Sequence, residues 1–173
     1  QATIAVEDKN FYDHKGVRWI SVLRAMVSNA LGLGSGGGGA STITQQLIKN
    51  AITGNEHSLA RKIKEAVLAT QLEKKYNKEE ILKLYFNEIP YGSSNYGIEA
   101  ASQSYFGKSV RDVSLAEAAA LAALPKAPTR YINSPNALNA RKDLVLNLMV
   151  DQGYITKEQA EVAQKEEIKL KKS

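Results

Sequence analysis

The 173-residue chain has no cysteine, two histidines, four prolines and a single tryptophan. Without cysteine there is neither a disulfide nor a thiolate metal site, and this absence suits either redox compartment. His14 and His57 are too few for a dedicated histidine zinc centre. Long apolar runs are missing too. None approaches the roughly 20 residues needed to cross a bilayer, and no signal peptide pattern is present. The chain opens at QATIAVED directly into a helical pattern, as expected of a piece excised from something longer. There is no internal repeat.

What is present is enough for a core: 43% of residues are hydrophobic, ample for a domain of this length. Basic residues number 23 against 18 acidic, a net charge of +5 with a pI near 9.3. That modest excess is compatible with nucleic acid, an anionic membrane face or an anionic substrate.

Helix signals dominate. Thr42 with Gln45, Asn77 with Glu80, Ser114 with Glu117 and Thr156 with Gln159 have capping-box spacing, in which two orphan amides are satisfied reciprocally. Apolar residues recur at helical spacing in Leu59, Ile63, Val67 and Leu68, and again in Ile81, Leu82, Tyr85 and Phe86. Gly107, Pro125 and Gly153 read as stops. The run SLAEAAALAAL from Ser114 is small and apolar nearly all round, so it predicts a buried central helix. The only strand-like piece is short, near Ile89 to Tyr91. The fold class is therefore mainly α. Two places break the pattern: GLGSGGGG at 32–39, which cannot hold a helix, and the turn-rich PYGSSNYG at 90–97. The terminal EEIKLKKS reads as a solvated exit or linker.

Several clusters could carry chemistry. Glu7, Phe11 and His14 in EDKNFYDHKG are spaced to share one helical face. A carboxylate beside an aromatic ring and an imidazole could act as a general base; an ordinary amphipathic helix end with a core phenylalanine has the same spacing. The stretch GGASTITQQLIKN packs Ser41, Thr42, Thr44, Gln45, Gln46, Lys49 and Asn50 behind a glycine run. It offers donors and one cation, which suits an oxygen-rich anion. In RKIKE, Glu65 stands one turn beyond Arg61 and Lys62. Such pairs are usually solvated decoration worth ~0.2–0.5 kcal/mol, but with Lys49 they would supply the charge a pyrophosphate demands. Tyr85 and Asn87 adjoin a helix end, and Gly92 allows a close backbone approach. The glycine run is not a phosphate-cradling Walker loop, because no Gly-Lys-Ser/Thr follows it.

Taken together, these segments resemble one family. EDKNFYDHKG looks like its first motif, GASTITQQLIKN its second, RKIKE its third and ILKLYFNEIPYG its fourth. LPKAPTRYINSPNALNARKDLVLNLM is similar to the fifth, and all five occur in family order across about residues 4 to 149. The family is the family 51 peptidoglycan glycosyltransferase, the polymerase domain of class A penicillin-binding proteins and of monofunctional transglycosylases. The tail GYITKEQAEVAQKEEIKL looks like the connector to a transpeptidase domain. The resemblance implies a single lysozyme-like domain of two lobes over residues 1–173: a head, a membrane-facing jaw including residues 17–39, and a cleft between them. It implies polymerisation of lipid II by inverting transfer from a growing lipid-pyrophosphate glycan strand to the 4-hydroxyl of lipid II. Glu7 falls on the general base and Glu65 on the second essential carboxylate. Lys49, Arg61 and Lys62 fall on pyrophosphate-binding cations. Asp8, Phe11, His14, Ser41, Thr42, Gln45, Gln46, Asn50, Tyr85, Asn87 and Gly92 fall on substrate contacts.

The same resemblance implies a divalent cation, Mg2+ or Mn2+, as the one candidate cofactor, with no organic cofactor. It implies phosphoglycolipid inhibitors of the moenomycin type as ligands, and the outer face of the bacterial cytoplasmic membrane as location, with an upstream transmembrane anchor that this chain lacks. Residues 32–39 are more glycine-rich than the family pattern and are expected to be a mobile gate. Independently of the family, Trp19, Ile20, Val22, Leu23, Met26, Val27 and Leu31 form an apolar stripe broken by Arg18 and Arg24. That suits a helix lying in a membrane interface, although a core-facing helix has the same pattern. Two other classes compete. A lysozyme-like lytic glycosidase would share the catalytic glutamate but have no use for the cations. A basic nucleic-acid-binding module would need its charge on one face, whereas here bases alternate with acids, as in LEKKYNKEE; nucleic acid is not an expected partner.

Overall fold

The computed structural model describes residues 1–32, 41–54, 56 and 58–171. The gate expected at 32–39 lies outside the described residues except for Gly32, which adopts φ +67°, and His57 lies outside them as well. In chain order the α-helices are α1 (Ala2–Glu7), α2 (Trp19–Ala30), α3 (Ile43–Ile48), α4 (Leu59–Lys75), α5 (Lys78–Glu88), α6 (Ile98–Phe106), α7 (Leu115–Ala123), α8 (Pro128–Asn133), α9 (Pro135–Asp151) and α10 (Lys157–Lys165). A π-helical turn, Lys49–Thr53, continues α3. No strand occurs among the described residues; the strand-like piece near Ile89 is an isolated bridge between Pro90 and Tyr96. The fold is mainly α, as the periodicity predicts.

The expected capping boxes form. Thr42, Ser114 and Thr156 cap α3, α7 and α10 with reciprocal bonds from Gln45, Glu117 and Gln159. Asn77 and Glu80 exchange the same pair of bonds at 2.9 and 3.2 Å. Ser58 and Ser134 add side-chain caps to α4 and α9. Each such bond satisfies an amide that would otherwise be orphaned at a helix start.

The contacts gather into two compact units, Gln1–Lys9 with Phe86–Ser173, and Asn10–Tyr85. In the first unit α7 is the central helix, with Ala116, Ala119, Ala120, Leu121, Ala122 and Ala123 buried. Its alanines let α1, α9, α10 and α6 pack directly against it. Leu138, Val145, Leu146 and Met149 of α9 supply larger buried side chains, and Gln152 ties α9 to the Ala5 carbonyl at 2.9 Å.

The terminal segment departs from expectation. EEIKLKKS exposes Glu166, Glu167, Lys169 and Lys171 but is not a free exit over its described length. Ile168 is 3% exposed and exchanges two hydrogen bonds with the Asn139 side chain, at 2.8 and 3.1 Å. The Lys171 amide donates to the Tyr105 carbonyl at 3.0 Å. Its anchor is Lys142, whose side chain is 1% exposed and whose Nζ donates to the carbonyls of Glu166 at 2.6 Å and Gln164 at 3.3 Å. Those carbonyls end α10, where a cation meets both orphan acceptors and the negative end of the helix dipole. Charge pattern alone made the tail look solvated; a partner distant in sequence holds it.

Gly92 also departs from its expected role. A Cβ there would run into Ile132 Cδ1 and stand 3.0 Å from Pro128 Cβ, and φ is +88°. The close approach is to this unit's own side chains.

In the second unit, Val17, Ile48, Ala66 and Ala69 form a core with Leu68 and Leu72 packed against it. Phe11, Ile43, Ile81 and Tyr85 are fully buried. Of the apolar stripe, Trp19, Ile20, Leu23 and Val27 on α2 and Leu31 just beyond it are 49% to 76% exposed; the side chains of Val22 and Met26 lie outside the described residues. Among the described residues no helix is long and apolar enough to cross a membrane.

Two substitutions test this packing. Lys142→Met keeps the aliphatic stem but strips two carbonyls of a charged donor, a loss of ~1.5–3 kcal/mol; hydrogen exchange at the Ile168 and Lys171 amides should rise well above that of α7. Gly92→Ala combines a strained φ with an overpacked site, each ~1–3 kcal/mol. Denaturant unfolding should show a loss of at least about 2 kcal/mol, and a loss below about 0.5 kcal/mol, the ordinary scatter of surface substitutions, contradicts this account.

Candidate active site

The sharpest polar feature lies in the second unit, on α4. Glu65 is 1% exposed, and its two oxygens accept from Arg61 Nη1 at 2.5 Å and from Lys62 Nζ at 2.9 Å. A single helix does this because i to i+3 and i to i+4 positions share a face. Lys62 Nζ also donates to the Ser41 hydroxyl, and Arg61 Nη1 reaches the Gly54 carbonyl at 3.4 Å. One carboxylate therefore aligns two cations, and the serine that opens the polar helix joins them. RKIKE is not solvated decoration. Its acid is buried, and a buried carboxylate is tolerated only when paired.

The polar helix separates into architectural and presenting residues. Thr42 is fully buried, accepts from the Gln45 amide and donates to the Gly16 carbonyl at 2.7 Å. Gln45 is 1% exposed, and its Oε1 accepts from the Thr42 amide at 3.0 Å. Both were expected as substrate contacts; burial makes them cap residues instead. Gln46 is half-buried, and its Oε1 accepts from the Tyr85 hydroxyl at 3.1 Å. Tyr85 has no exposed surface, so it orients Gln46 and is not itself a ligand contact. Asn50 is exposed and donates to the Gln46 carbonyl at 2.8 Å. Lys49 opens the π-helical turn and is half-buried. The turn closes through the Gly54 amide on the Lys49 carbonyl at 2.9 Å, with φ +74° at Gly54. Such π turns recur at functional positions.

The expected shared face of Glu7, Phe11 and His14 does not exist. α1 ends at Glu7, and residues 9–16 run through turns and bends. The turns satisfy the backbone locally: the Asp13 and His14 amides donate to the Asn10 carbonyl at 2.9 and 3.2 Å. Phe11 is fully buried, edge-on to His14 with ring centroids 5.9 Å apart. His14 Nδ1 accepts from the Gly16 amide at 2.9 Å. Phe11 is thus support, not a substrate contact. In the first unit Glu7 is half-buried and Asp8 is 1% exposed. Asn87 is exposed at the end of α5.

Two features escaped the sequence reading. Tyr91 is fully buried, and burial, followed by the charge of Glu7, pushes its phenol well above the ordinary tyrosine range. The second is the pair of Glu73 and Lys78, bonded at 2.8 Å in the second unit. Neither had a distinguishing spacing: Tyr91 reads as a loop aromatic, and Glu73 and Lys78 as two charges among the many of LEKKYNKEE.

A protein-held divalent cation does not fit these donors. Both oxygens of Glu65 are taken by cations, and among the described residues no group of at least three His, Asp or Glu side chains gathers.

A family profile described as transglycosylase matches residues 1–150. Penicillin-binding protein 1A of Aquifex aeolicus is 47% identical over 99% of this chain and 24% of its own length. Penicillin-binding protein 1F of Bacillus subtilis is 46% identical over 95% of this chain and 23% of its own. The crystal structure of penicillin-binding protein 1A from Haemophilus influenzae superposes with a TM-score of 0.53 at 35% identity, covering 75% of this chain and 16% of that one. The chain thus spans about a quarter or less of the length of these relatives. With a profile match over residues 1–150 and relatives of this identity along nearly its whole length, the chain belongs to the transglycosylase family.

Proposed function

We propose that the chain is a peptidoglycan glycosyltransferase that polymerises lipid II. The observation that carries the reading is the buried Glu65 carboxylate holding Arg61 and Lys62 side by side. Two cations against one carboxylate leave a single net positive charge, and Lys49 adds another. This is an arrangement for an anionic leaving group. A lytic glycosidase, whose leaving group is a sugar hydroxyl, needs a proton donor there and no cations.

The chemistry assigns each residue a task. Glu7 takes the proton from the 4-hydroxyl of the acceptor, because a neutral hydroxyl is a poor nucleophile. The freed oxygen bonds to the anomeric carbon of the donor from the face opposite the lipid pyrophosphate, so the centre inverts. The carbon–oxygen bond to the pyrophosphate breaks, and its electrons leave with the anion. Lys49, Arg61 and Lys62 stabilise that charge as it develops, which lowers the barrier more than binding the ground state would. Glu65 serves as organiser of the cations, since its oxygens are already committed to them. Gln46, Ser41 and Asn50 supply neutral donors and acceptors for the glycan. No step is routed through a metal.

The exposed stripe from Trp19 to Leu31 supports docking to the bacterial cytoplasmic membrane, where lipid-linked donor and acceptor reside. Arg18 and Trp19 at its start and Arg24 within it suit the headgroup level. We place the activity on the outer face of that membrane.

Incubation with lipid II is the direct test: glycan polymer is expected, and cleavage of preformed glycan would favour the lytic reading. Glu7→Gln keeps shape and removes the basic carboxylate, so turnover should fall by ~10²–10⁴. Retention of more than about a tenth of turnover refutes the base assignment. Lys49→Ala should weaken a phosphoglycolipid of the moenomycin type by ~1.5–3 kcal/mol in calorimetry, the value of a charge-assisted hydrogen bond. Unaltered affinity would place Lys49 outside the anion site.

A further inference from the structure

Glu73 and Lys78 lie outside every motif that carries the proposed chemistry, yet four segments of the second unit meet at them. Glu73 Oε1 accepts from Lys78 Nζ at 2.8 Å and from the Thr44 hydroxyl at 2.8 Å. Lys78 Nζ also donates to the His14 carbonyl at 2.7 Å and stands 4.5 Å over the Phe11 ring. Glu73 is on α4, Lys78 begins α5, Thr44 is on α3, and His14 with Phe11 belongs to the turns at 9–16. The side chains of Glu73 and Lys78 are 8% and 20% exposed, and Thr44 is fully buried. Gly16 seats the turns against the same spot: a Cβ there would stand 2.9 Å from Glu73 Cγ and 2.7 Å from the Ala69 carbonyl oxygen. Gly16 in turn accepts the Thr42 hydroxyl through its carbonyl, which closes the loop of contacts back onto α3.

We infer that Glu73 and Lys78 are positioning residues, which set where α3 lies along α4 and so place Ser41, Gln46 and Lys49 against the Arg61–Lys62–Glu65 cluster. The inference rests on the anion-site reading above. Thr44 sits between Thr42, which caps α3, and Gln46, which Tyr85 orients. A hydroxyl tie at Thr44 therefore fixes both the height and the rotation of a helix only six residues long. Such a short helix has little cooperativity of its own. Ile43, Leu47 and Ile48 press it against the core, but apolar packing is non-directional, so the directional ties fix its height and rotation, and an ion pair with little solvent exposure is a stiff anchor for them.

Thr44→Val tests this, since it removes the hydroxyl at nearly constant shape and leaves the ion pair intact. Thr70→Val is the control: it deletes a hydroxyl whose 3.0 Å bond stays within α4, to the Ala66 carbonyl. Two readouts are taken on each protein, kcat and KM for polymerisation of lipid II and calorimetric affinity for inorganic pyrophosphate. Thr44→Val should lower kcat/KM about ten- to a hundred-fold, the scale of a small misplacement of binding groups, chiefly in kcat, and should weaken pyrophosphate, while Thr70→Val changes neither. A double-mutant cycle adds the readout that loss of stability alone cannot mimic: Ser41→Ala should cost less in the Thr44→Val background than in the wild type. Lys78→Arg, which keeps the charge and donors, should act more mildly than Lys78→Met. Unchanged kcat/KM and pyrophosphate affinity in Thr44→Val, or additive effects with Ser41→Ala, would overturn the inference. If the wild type makes no polymer but Thr44→Val still weakens pyrophosphate, the polymerase reading falls and the positioning role stands.

Discussion

A buried carboxylate must be paired, and Glu65 is the carboxylate on which the polar half of the second unit depends. At 1% exposure it has little water to replace Arg61 or Lys62, so removing both cations would leave an uncompensated charge inside the protein. This need is what arranges the cations. Held by one acid, two side chains that would otherwise sweep through solvent stand within a few ångströms of each other, and Lys62 also touches Ser41. Preorganisation of this kind is what electrostatic catalysis requires, because charges already in place need not reorganise when the leaving group departs.

The same constraint recurs around it. Thr42, Thr44 and Gln45 are buried polar side chains, and each is tied by a hydrogen bond to a backbone or carboxylate partner. Buried polar networks of this type are costly if broken and specific if complete. Together with the buried Ile43, Leu47 and Ile48 they hold a short helix followed by a π-helical turn. In the first unit the corresponding constraint is steric. An alanine-rich α7 lets its neighbours approach, and bulky side chains on α9 fill what remains, so the core is defined by complementarity of size. Tyr91 is fully buried in the same unit, and burial, followed by the charge of Glu7, raises its phenol above the ordinary tyrosine range.

Much of this was legible in the chain. The capping boxes at Thr42, Asn77, Ser114 and Thr156 are local interactions between residues three apart, and all of them form. The buried character of α7 follows from composition, and the pairing of Glu65 with Arg61 and Lys62 follows from helical spacing. What local pattern could not supply was burial and long-range partnership. Phe11 and His14 have the spacing of a helical face, but turns replace the helix because the backbone there finds its bonds to Asn10 and Gly16. The acidic and basic tail looked solvated because its anchor, Lys142, lies more than twenty residues away. Glu73 and Lys78 were two charges among many until α3, α4, α5 and the turns at 9–16 met around them.

The sequence by itself determined the helical class, the capped helix starts, the family motifs and the residue types the chemistry needs, since these depend on neighbours within a few positions. Tertiary structure alone decided which motif residues support and which present. Thr42, Gln45, Tyr85 and Phe11 are inside, while Asn50 and Asn87 are outside and Gln46 and Lys49 are half-buried. The reason is physical: a polar side chain reads the same in sequence whether its partner is a distant backbone carbonyl or a ligand, and only packing removes the water that distinguishes the two.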